Sequence, residues 1–344
     1  MNLTEAIARL LAREDLGTAE MNDVMGLIMG GEATSAQIGA FLMGLAMKGE
    51  TVTEVAAAAH VMRGLALPVD IDTEGVVDIV GTGGDGARTF NVSTTASFVV
   101  AGAGGRVAKH GNRSISRSSG SADVLESLGI PLDLKPAQIA RCVREVGVGF
   151  MFAPMHHAAM KHAIGPRREM GVRTIFNVLG PLTNPAGVKN QLLGVYSPRW
   201  VEPLAEVLQR LGSRHVMVVH AEDGLDEISI AAPTRVAELR DGRIRSYRLN
   251  PEDCGLALAP LDAIRVDDPA ASRAMVMGVL AGERGPARDI VLLNAGAALY
   301  VSGHAQDMCD GVALAARAID SGAARARLDA FVRLAQALAG GEAT

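Results

Sequence analysis

The sequence predicts an α/β fold, with a mainly parallel central sheet flanked by helices and a small all-helical N-terminal domain. From about residue 75 onward, short apolar runs alternate with amphipathic helical stretches, which is typical of parallel strands joined by helices. The residues before this point show helical spacing only. Of the 344 residues 49% are hydrophobic but only 3% are aromatic, so Ala, Val, Leu, Ile and Met must build the core.

Four apolar stripes at helical spacing predict four short helices in an N-terminal domain of residues 1–70. Thr18 and Thr53 stand where N-caps are expected. Gly30-Gly31 and Gly49 stand where helices end. The stripes begin at Leu3, Met21, Phe41 and Ala56.

Residues 71–344 are predicted to form the large α/β domain. A helix is expected over 93–103 and another over 201–211, between strands, and the last seventy or so residues are Ala-rich helix. A late antiparallel hairpin over 234–249 turns at Asp241-Gly242. The parallel strands are predicted at 76–80, 106–109, 148–152, 191–195 and 215–220.

Composition excludes several classes of protein. The net charge of −5 opposes nucleic-acid binding, which usually needs a basic excess. The longest uncharged stretch, 89–105, is rich in Gly, Ser and Thr and is shorter than the roughly 20 apolar residues that a membrane-spanning helix needs. The N-terminus does not read as a signal peptide. Cys142, Cys254 and Cys309 lack metal-ligand spacing, and we interpret them as thiols of a reduced, cytoplasmic chain.

A glycine-rich loop, residues 81–86, follows the first predicted strand. It matches the dinucleotide fingerprint G-x-G-x-x-G. That fingerprint also requires an acidic residue about 20 positions further on, and no Asp or Glu occurs from Gly86 to Ala122. The loop alone could be a strained structural turn. With the residues that follow, it predicts backbone N–H groups that approach an anion closely.

The acid-free stretch after this loop predicts two anion sites. Asn91, Ser93 and Thr94 stand where the next helix begins, which is a favourable place for a phosphate. A second basic loop, 109–121, follows the second strand. Ligands of open α/β sheets bind at adjacent strand ends, so a molecule with separated phosphates is expected. A helix cap beside a solvated surface loop is the alternative.

Four carboxylates follow the strand at 215–220, namely Glu222, Asp223, Asp226 and Glu227. Acidic residues beside a phosphate site would repel the ligand unless a cation intervenes, so they predict Mg²⁺. A solvated acidic turn would explain this segment equally well on its own.

Basic residues downstream predict a site for a carboxylate. Arg167, Arg168 and Arg173 could pair with it in bidentate fashion. His156, His157 and His162 lie just before them, and we interpret these as polar lining or core rather than metal ligands.

Six motifs together resemble those of the anthranilate phosphoribosyltransferase family. They occur in the family's order and cover nearly the whole chain. In this sequence they are residues 81–85, 91–94, 109–113, 119–123, 180–185 and 223–227.

The resemblance implies the roles of particular residues. Anthranilate would meet Gly81, Asn112 and Arg167, and Mg²⁺ would be held by Ser93, Asp226 and Glu227. No protein nucleophile is expected. The donor, phosphoribosyl diphosphate, would be held by Gly81, Gly84, Asp85, Thr89, Asn91, Val92, Ser93, Thr94, Lys109, His110, Gly111, Asn112, Arg113, Ser114, Ile115, Ser116, Arg117 and Ser121.

The resemblance also implies the second step of tryptophan biosynthesis, a homodimer, and a small domain completed by helices near residues 165–190. The composition adds the expectations of a cytoplasmic location and of no nucleic-acid or membrane partner. Two positions depart from the family pattern. Arg117 and Ser118 replace the usual Ser and Lys, and Ala158 stands where Pro is common. A pyrimidine-nucleoside phosphorylase and a non-catalytic nucleic-acid-binding relative are the alternatives.

Overall fold

The computed structural model describes residues 1–113 and 120–341. Within these ranges one seven-stranded mixed sheet forms the centre of the large lobe, which confirms the predicted α/β class. Each predicted strand is present and differs from its predicted bounds only at the ends. The strands are β1 Val76–Gly81, β2 Arg106–Gly111, β3 Val148–Phe152, β4 Asn190–Gly194, β5 His215–Ala221, β6 Thr234–Arg240 and β7 Arg243–Leu249.

The strand order is β3-β2-β1-β4-β5-β6-β7. The first five strands in this order run parallel, so their carboxyl ends share one edge of the sheet. The predicted hairpin, β6 and β7, joins the sheet antiparallel through β5. Val77 of β1 pairs with Asn190 of β4, which pairs with His215 of β5. This register brings the loops after β1, β4 and β5 side by side.

Helices account for most of the remaining chain. The N-terminal four are those predicted from the apolar stripes, and the last four are the predicted Ala-rich helices. The helices are α1 Leu3–Leu11, α2 Thr18–Gly30, α3 Ser35–Lys48, α4 Val52–Leu65, α5 Val92–Gly102, α6 Ser121–Ser127, α7 Pro136–Val146, α8 Ala153–His156, α9 Lys161–Met170, α10 Phe176–Leu179, α11 Val201–Arg210, α12 Pro269–Leu280, α13 Pro286–Val301, α14 Met308–Asp320 and α15 Ala323–Ala339.

The predicted N-caps of α2 and α4 were wrong. Gly17 precedes α2, and the Glu20 carboxylate accepts its N–H at 2.8 Å, which makes Thr18 the first helical residue. Thr51 caps α4: its hydroxyl accepts the Glu54 N–H at 3.2 Å, and Glu54 accepts the Thr51 N–H at 2.8 Å. A reciprocal capping box therefore decided the start of α4. The predicted ends at Gly31 and Gly49 are confirmed.

Two apolar clusters pack against opposite faces of the sheet. Successive strand residues alternate between them: on β5, Met217 and Val219 join the α5 and α13 side, whereas Val216 and Val218 join the other. The second cluster continues into the N-terminal helices and into α9 and α10. The domain boundary at residue 70 and the completion of the small domain near residues 165–190 stay predictions.

Cys254 and Cys309 form a disulfide, with Cα atoms 4.9 Å apart. The interpretation of all three cysteines as thiols was therefore wrong for this pair, because a separation of 55 residues gives no sign of proximity in space. Cys142 remains a buried free thiol. Among the described residues, no helix is both long enough and apolar enough to cross a bilayer.

Candidate active site

Three loops meet at the carboxyl edge of the sheet, those after β1, β2 and β5. The Asp226 carboxylate accepts the Gly83 N–H at 2.7 Å, and the Glu227 carboxylate accepts the Ser93 N–H at 3.3 Å. The Lys109 ammonium donates to the Ser93 hydroxyl at 3.2 Å. The structure thus brings together the glycine loop, the start of α5, the end of β2 and the acidic pair.

Glycines at the strand ends allow this convergence. A Cβ on Gly81 would lie 2.6 Å from an Asp226 carboxylate oxygen, and a Cβ on Gly194 would lie 1.5 Å from the Asp226 carbonyl oxygen. Gly83 and Gly84 have φ angles of 66° and 78°, which side chains disfavour. The acidic segment can cross β1 and β4 only because these positions lack side chains.

The start of α5 is held in place from outside the sheet. Asn91 is its N-cap residue, and the Ser272 hydroxyl of α12 donates to the Asn91 side-chain oxygen at 2.7 Å. Val92 and Thr94 are fully buried, so any contact that Val92 makes with a ligand uses its backbone. Ser93 directs both its N–H and its hydroxyl toward the acidic pair and Lys109. The helix N-terminus therefore faces the loop convergence.

Asp85 holds the glycine loop rather than projecting from it. Thr89, three residues beyond the loop, is buried, and its backbone forms an isolated antiparallel bridge with Arg265. The Asp85 carboxylate accepts the Ala87 N–H at 3.2 Å and the Asp226 N–H at 3.4 Å. Asp85 therefore links the loop after β1 to the acidic segment after β5.

Lys109 is a buried cation between two sources of negative charge. Burial lowers its pKa, and Asp78, Glu227 and Asp226 oppose that shift. Burial raises the pKa of Asp78 to about 6, against the opposing effect of Lys109 and hydrogen bonds that include one from Asn184 at 2.8 Å. The ammonium also donates to the Ile79 carbonyl. These hydrogen bonds hold the Lys109 side chain beside Ser93.

The loop after β2 is described as far as Arg113. A Cβ on Gly111 would lie 2.4 Å from the Ser121 hydroxyl oxygen, so α6 packs directly on this strand end. The Ser121 hydroxyl donates to the Asn112 carbonyl at 3.2 Å. Ser114, Ile115, Ser116 and Arg117 lie outside the described residues, as does Ser118.

Arg113 turns toward α6 in this structure. Its guanidinium binds Glu126 at 2.8 and 3.1 Å and Asp123 at 3.0 Å, and these carboxylates raise its pKa. Arg113 was predicted as a donor ligand. To contact a phosphate it would have to exchange these exposed ion pairs, which are individually weak.

On the predicted acceptor side, Arg167 lies on α9 with its guanidinium 5.0 Å from the centre of the Phe176 ring. Burial lowers its pKa. Arg173, rather than Arg167, reaches the glycine loop and donates to the Gly84 carbonyl. The Arg173 guanidinium also lies 4.2 Å from the centre of the Tyr196 ring. Arg173 stood out in the sequence only as one member of an arginine cluster.

Two buried histidines face each other behind the second loop. The rings of His110 and His157 are 5.1 Å apart, and burial lowers their pKa values to about 3 and about 4. Both are therefore uncharged at neutral pH. Among the described residues, the Nε2 atoms of His110, His156 and His157 have no hydrogen-bond partner. The sequence indicated polar lining or core for His156 and His157, which agrees with their burial, but it did not indicate the pairing of His157 with His110.

The acidic pair offers oxygen ligands of the kind that magnesium prefers. Asp226 and Glu227 approach Gly83 and Ser93, and the Ser93 hydroxyl is nearby. The described residues contain no cluster of three or more His, Cys, Asp or Glu that could hold a metal. Mg²⁺ commonly takes one or two carboxylates together with substrate phosphates, so this set fits the ion.

The fold and this sheet edge define a glycosyl transferase built from a helical bundle and an α/β domain. The model of the "Glycosyl transferase family, a/b domain" matches residues 73–325, and that of the "Glycosyl transferase family, helical bundle domain" matches residues 4–66. A curated protein that is 65% identical over 332 residues is an anthranilate phosphoribosyltransferase, and the chain belongs to that family.

Similar proteins share nearly the full length of the chain. The anthranilate phosphoribosyltransferase of Thioalkalivibrio sulfidiphilus is 65% identical over 96% of this chain and 98% of its own length. The Thermus thermophilus enzyme structure has a TM-score of 0.91 at 42% identity, covering 96% of this chain and 99% of its own. The Saccharomyces cerevisiae enzyme, solved with phosphoribosyl diphosphate and Mg, has a TM-score of 0.90 at 26% identity, covering 97% and 98%.

Proposed function

We propose that this protein transfers the phosphoribosyl group of phosphoribosyl diphosphate to anthranilate, giving phosphoribosyl-anthranilate and diphosphate, in the second step of tryptophan biosynthesis. The observation that carries the proposal is the convergence of Gly83, Ser93, Lys109, Asp226 and Glu227 at one sheet edge. Relatives that are 65% and 61% identical over nearly the whole chain are anthranilate phosphoribosyltransferases.

The residues at this edge would stabilise charge on the leaving diphosphate. Lys109 supplies an ammonium group beside Ser93, and the N-terminus of α5 supplies N–H groups and a favourable dipole. In the structure the Gly83 and Ser93 N–H groups bond to carboxylates. Donor binding would exchange these partners for phosphate oxygens. Ser93, Asp226 and Glu227 would hold Mg²⁺, which neutralises diphosphate charge when it is bound.

The second loop, with Gly111, Asn112, Arg113 and Ser121, would hold the phosphate at the other end of the donor. This assignment extends to Ser114–Arg117, which lie outside the described residues. A donor that spans the two loops would keep its reactive carbon between them. The loops thus provide positioning, which contributes to catalysis because it removes the entropy cost of alignment.

Arg167 would bind the anthranilate carboxylate, and Gly81 and Asn112 would border the acceptor. The uncharged rings of His110 and His157 would form a polar wall behind the second loop, and His110 stays a proposed residue of the donor site. The amine is a weak nucleophile that needs positioning more than deprotonation. We therefore propose direct displacement with inversion at the ribosyl carbon and no covalent protein intermediate.

A fluorescence assay of anthranilate consumption tests the function. Loss of fluorescence should require the protein, phosphoribosyl diphosphate and Mg²⁺ together. A parallel assay for phosphate-dependent cleavage of thymidine should give no signal, which separates the nucleoside phosphorylase alternative. Thymidine cleavage without anthranilate consumption would contradict the proposal.

The remaining expectations concern assembly and location. We propose a homodimer, and light scattering coupled to size-exclusion chromatography tests it. We propose a cytoplasmic location because the donor, which carries a phosphate and a diphosphate, does not cross membranes unaided. Nucleic acid is not an expected partner, since the net charge is −5.

A further inference from the structure

An open groove lies between α6, α12 and α15, outside the candidate active site. Its volume is about 310 Å³, which is within the range of small-molecule sites. None of the residues that line it is among the proposed donor, acceptor or magnesium residues. The groove therefore requires an explanation of its own.

The groove is positively charged. Arg273 of α12 and Arg325 and Arg333 of α15 line it, against a single acid, Asp329. Arg325 pairs with Asp329, with 3.0 Å between Nε and Oδ1. Within the part of the chain that the structure describes, Arg273 and Arg333 make no ion pair or hydrogen bond. Two guanidinium groups are thus available to a ligand, and guanidinium groups pair well with carboxylate, phosphate and sulfonate oxygens.

The rest of the lining is apolar. Leu128 follows α6, Met277 lies on α12, and Leu328 and Val332 lie on α15. Leu328 is buried at the floor of the groove. The other three side chains are half-buried and remain accessible to a ligand. Inorganic phosphate would leave this apolar surface unused, whereas a hydrocarbon would leave the arginines unused.

We propose that the groove is an accessory binding site for a small amphiphilic organic anion, with an acidic group held by Arg273 and Arg333 and an apolar or aromatic body against Leu128, Met277 and Val332. It differs in chemistry from the active site, which uses a glycine loop and a helix N-terminus. The proposal does not depend on the proposed function.

The test uses anilinonaphthalene sulfonate, an aromatic sulfonate that fluoresces when bound. The full-length protein should bind it, and the double variant Arg273→Gln, Arg333→Gln should bind at least about tenfold more weakly, because two charge-assisted contacts are lost. Arg317→Gln, an exposed arginine on α14, is the matched control and should bind as wild type does. Val332→Asp, which adds a carboxylate to the groove, should also weaken binding, and equal melting temperatures verify folding.

One further arm locates the probe. A probe bound at the active site would also respond to substitutions in α12, because Ser272 of α12 contacts Asn91 at that site. Saturating phosphoribosyl diphosphate with Mg²⁺ should leave probe binding unchanged if the groove is the site. The proposal would be overturned if this donor displaced the probe, or if the double variant bound the probe as wild type does. An equal loss of probe binding in Arg317→Gln would also overturn it.

Discussion

At the residue scale, Asp226 has two roles that can be separated. Its carboxylate accepts the Gly83 N–H at 2.7 Å, and we propose that it also binds magnesium. Asp226→Asn keeps an acceptor oxygen for Gly83 but removes the charge. The Mg²⁺ concentration for half-maximal activity should rise by at least about tenfold. Glu222→Gln, which removes an acid that pairs with Arg235 and Arg248, should leave it unchanged.

An unchanged magnesium requirement in Asp226→Asn would contradict the metal role. A fall in melting temperature without that change would indicate that the carboxylate only holds the glycine loop.

Arg167 is the residue on which the acceptor assignment depends. Arg167→Ala should raise the anthranilate KM about tenfold or more, since a charged hydrogen bond is worth about 1.5–3 kcal/mol, and should change the donor KM little. Arg168→Ala, the exposed neighbour on α9, is the control and should change neither constant. Steady-state kinetics with each substrate varied gives the answer. A change in the donor KM alone would show that the assignment is wrong.

At the element scale, the end of β4 is the place where the acidic segment comes closest to the sheet. Gly194→Ala would place a Cβ 1.5 Å from the Asp226 carbonyl oxygen, and the Gly194 carbonyl is itself tied to the Thr82 N–H at 2.9 Å. We expect unfolding free energy to fall by about 1–3 kcal/mol and activity to be lost. Gly26→Ala on α2 meets nothing within 4 Å and should be neutral or stabilising by up to about 1 kcal/mol. Denaturant unfolding measures both, and a neutral Gly194→Ala would contradict the described approach.

The Cys254–Cys309 disulfide ties the segment after β7 to the start of α14. It closes a loop with a sequence separation of 55, for which chain entropy gives about 4 kcal/mol of stabilisation at most. Cys254→Ser should therefore lower the unfolding free energy under oxidising conditions. Cys142→Ser, at the buried free thiol, provides the contrast: its effect should be the same with and without reductant. A wild-type stability that does not respond to reductant would contradict a stabilising disulfide.

The sequence predicted the regular elements well because they depend on local patterns. Strand β3 was predicted to its last residue, since its five apolar residues begin after Gly147, which ends α7, and stop before Ala153-Pro154, which begin α8. The pairing of Cys254 with Cys309 and the contact of Arg173 with Gly84 could not be predicted, because both join residues far apart in the chain. Caps were misplaced by one or two residues, where a reciprocal partner such as Glu54 decides the start.

At the scale of the whole molecule, a buried carboxylate makes stability depend on pH. Burial raises the pKa of Glu238, but hydrogen bonds from His215, Tyr300, Arg245 and Tyr247 outweigh it and lower the pKa to about 2. A carboxyl group whose pKa is lowered on folding stabilises the fold at pH values above its ordinary pKa of 4.5. This stabilisation is lost as the pH falls from 4.5 toward 2. Burial lowers the pKa of His157 to about 4, so this histidine must be protonated against its environment as the pH falls from 6.5 to 4, and the fold loses further stability over that range.

The variant Glu238→Gln tests this link. It should be less stable than wild type at pH 7, because buried donors lose a charged partner, and the difference should narrow below pH 4.5. Glu206→Gln, an exposed glutamate on α11, should match wild type at every pH. Denaturant unfolding at pH 7, 5, 4 and 3 is the measurement. A constant difference for Glu238→Gln across this range would contradict the lowered pKa.

The proposed transfer reaction requires two anion sites, one at each loop, joined by a single donor molecule. A crystal structure with phosphoribosyl diphosphate and Mg²⁺ tests it most directly. We expect the diphosphate beside Ser93 and Lys109, the metal on Asp226 and Glu227, and the other phosphate at the loop that begins at Gly111. A donor bound at any other edge of the sheet, or one that contacts only one of the two loops, would contradict the account.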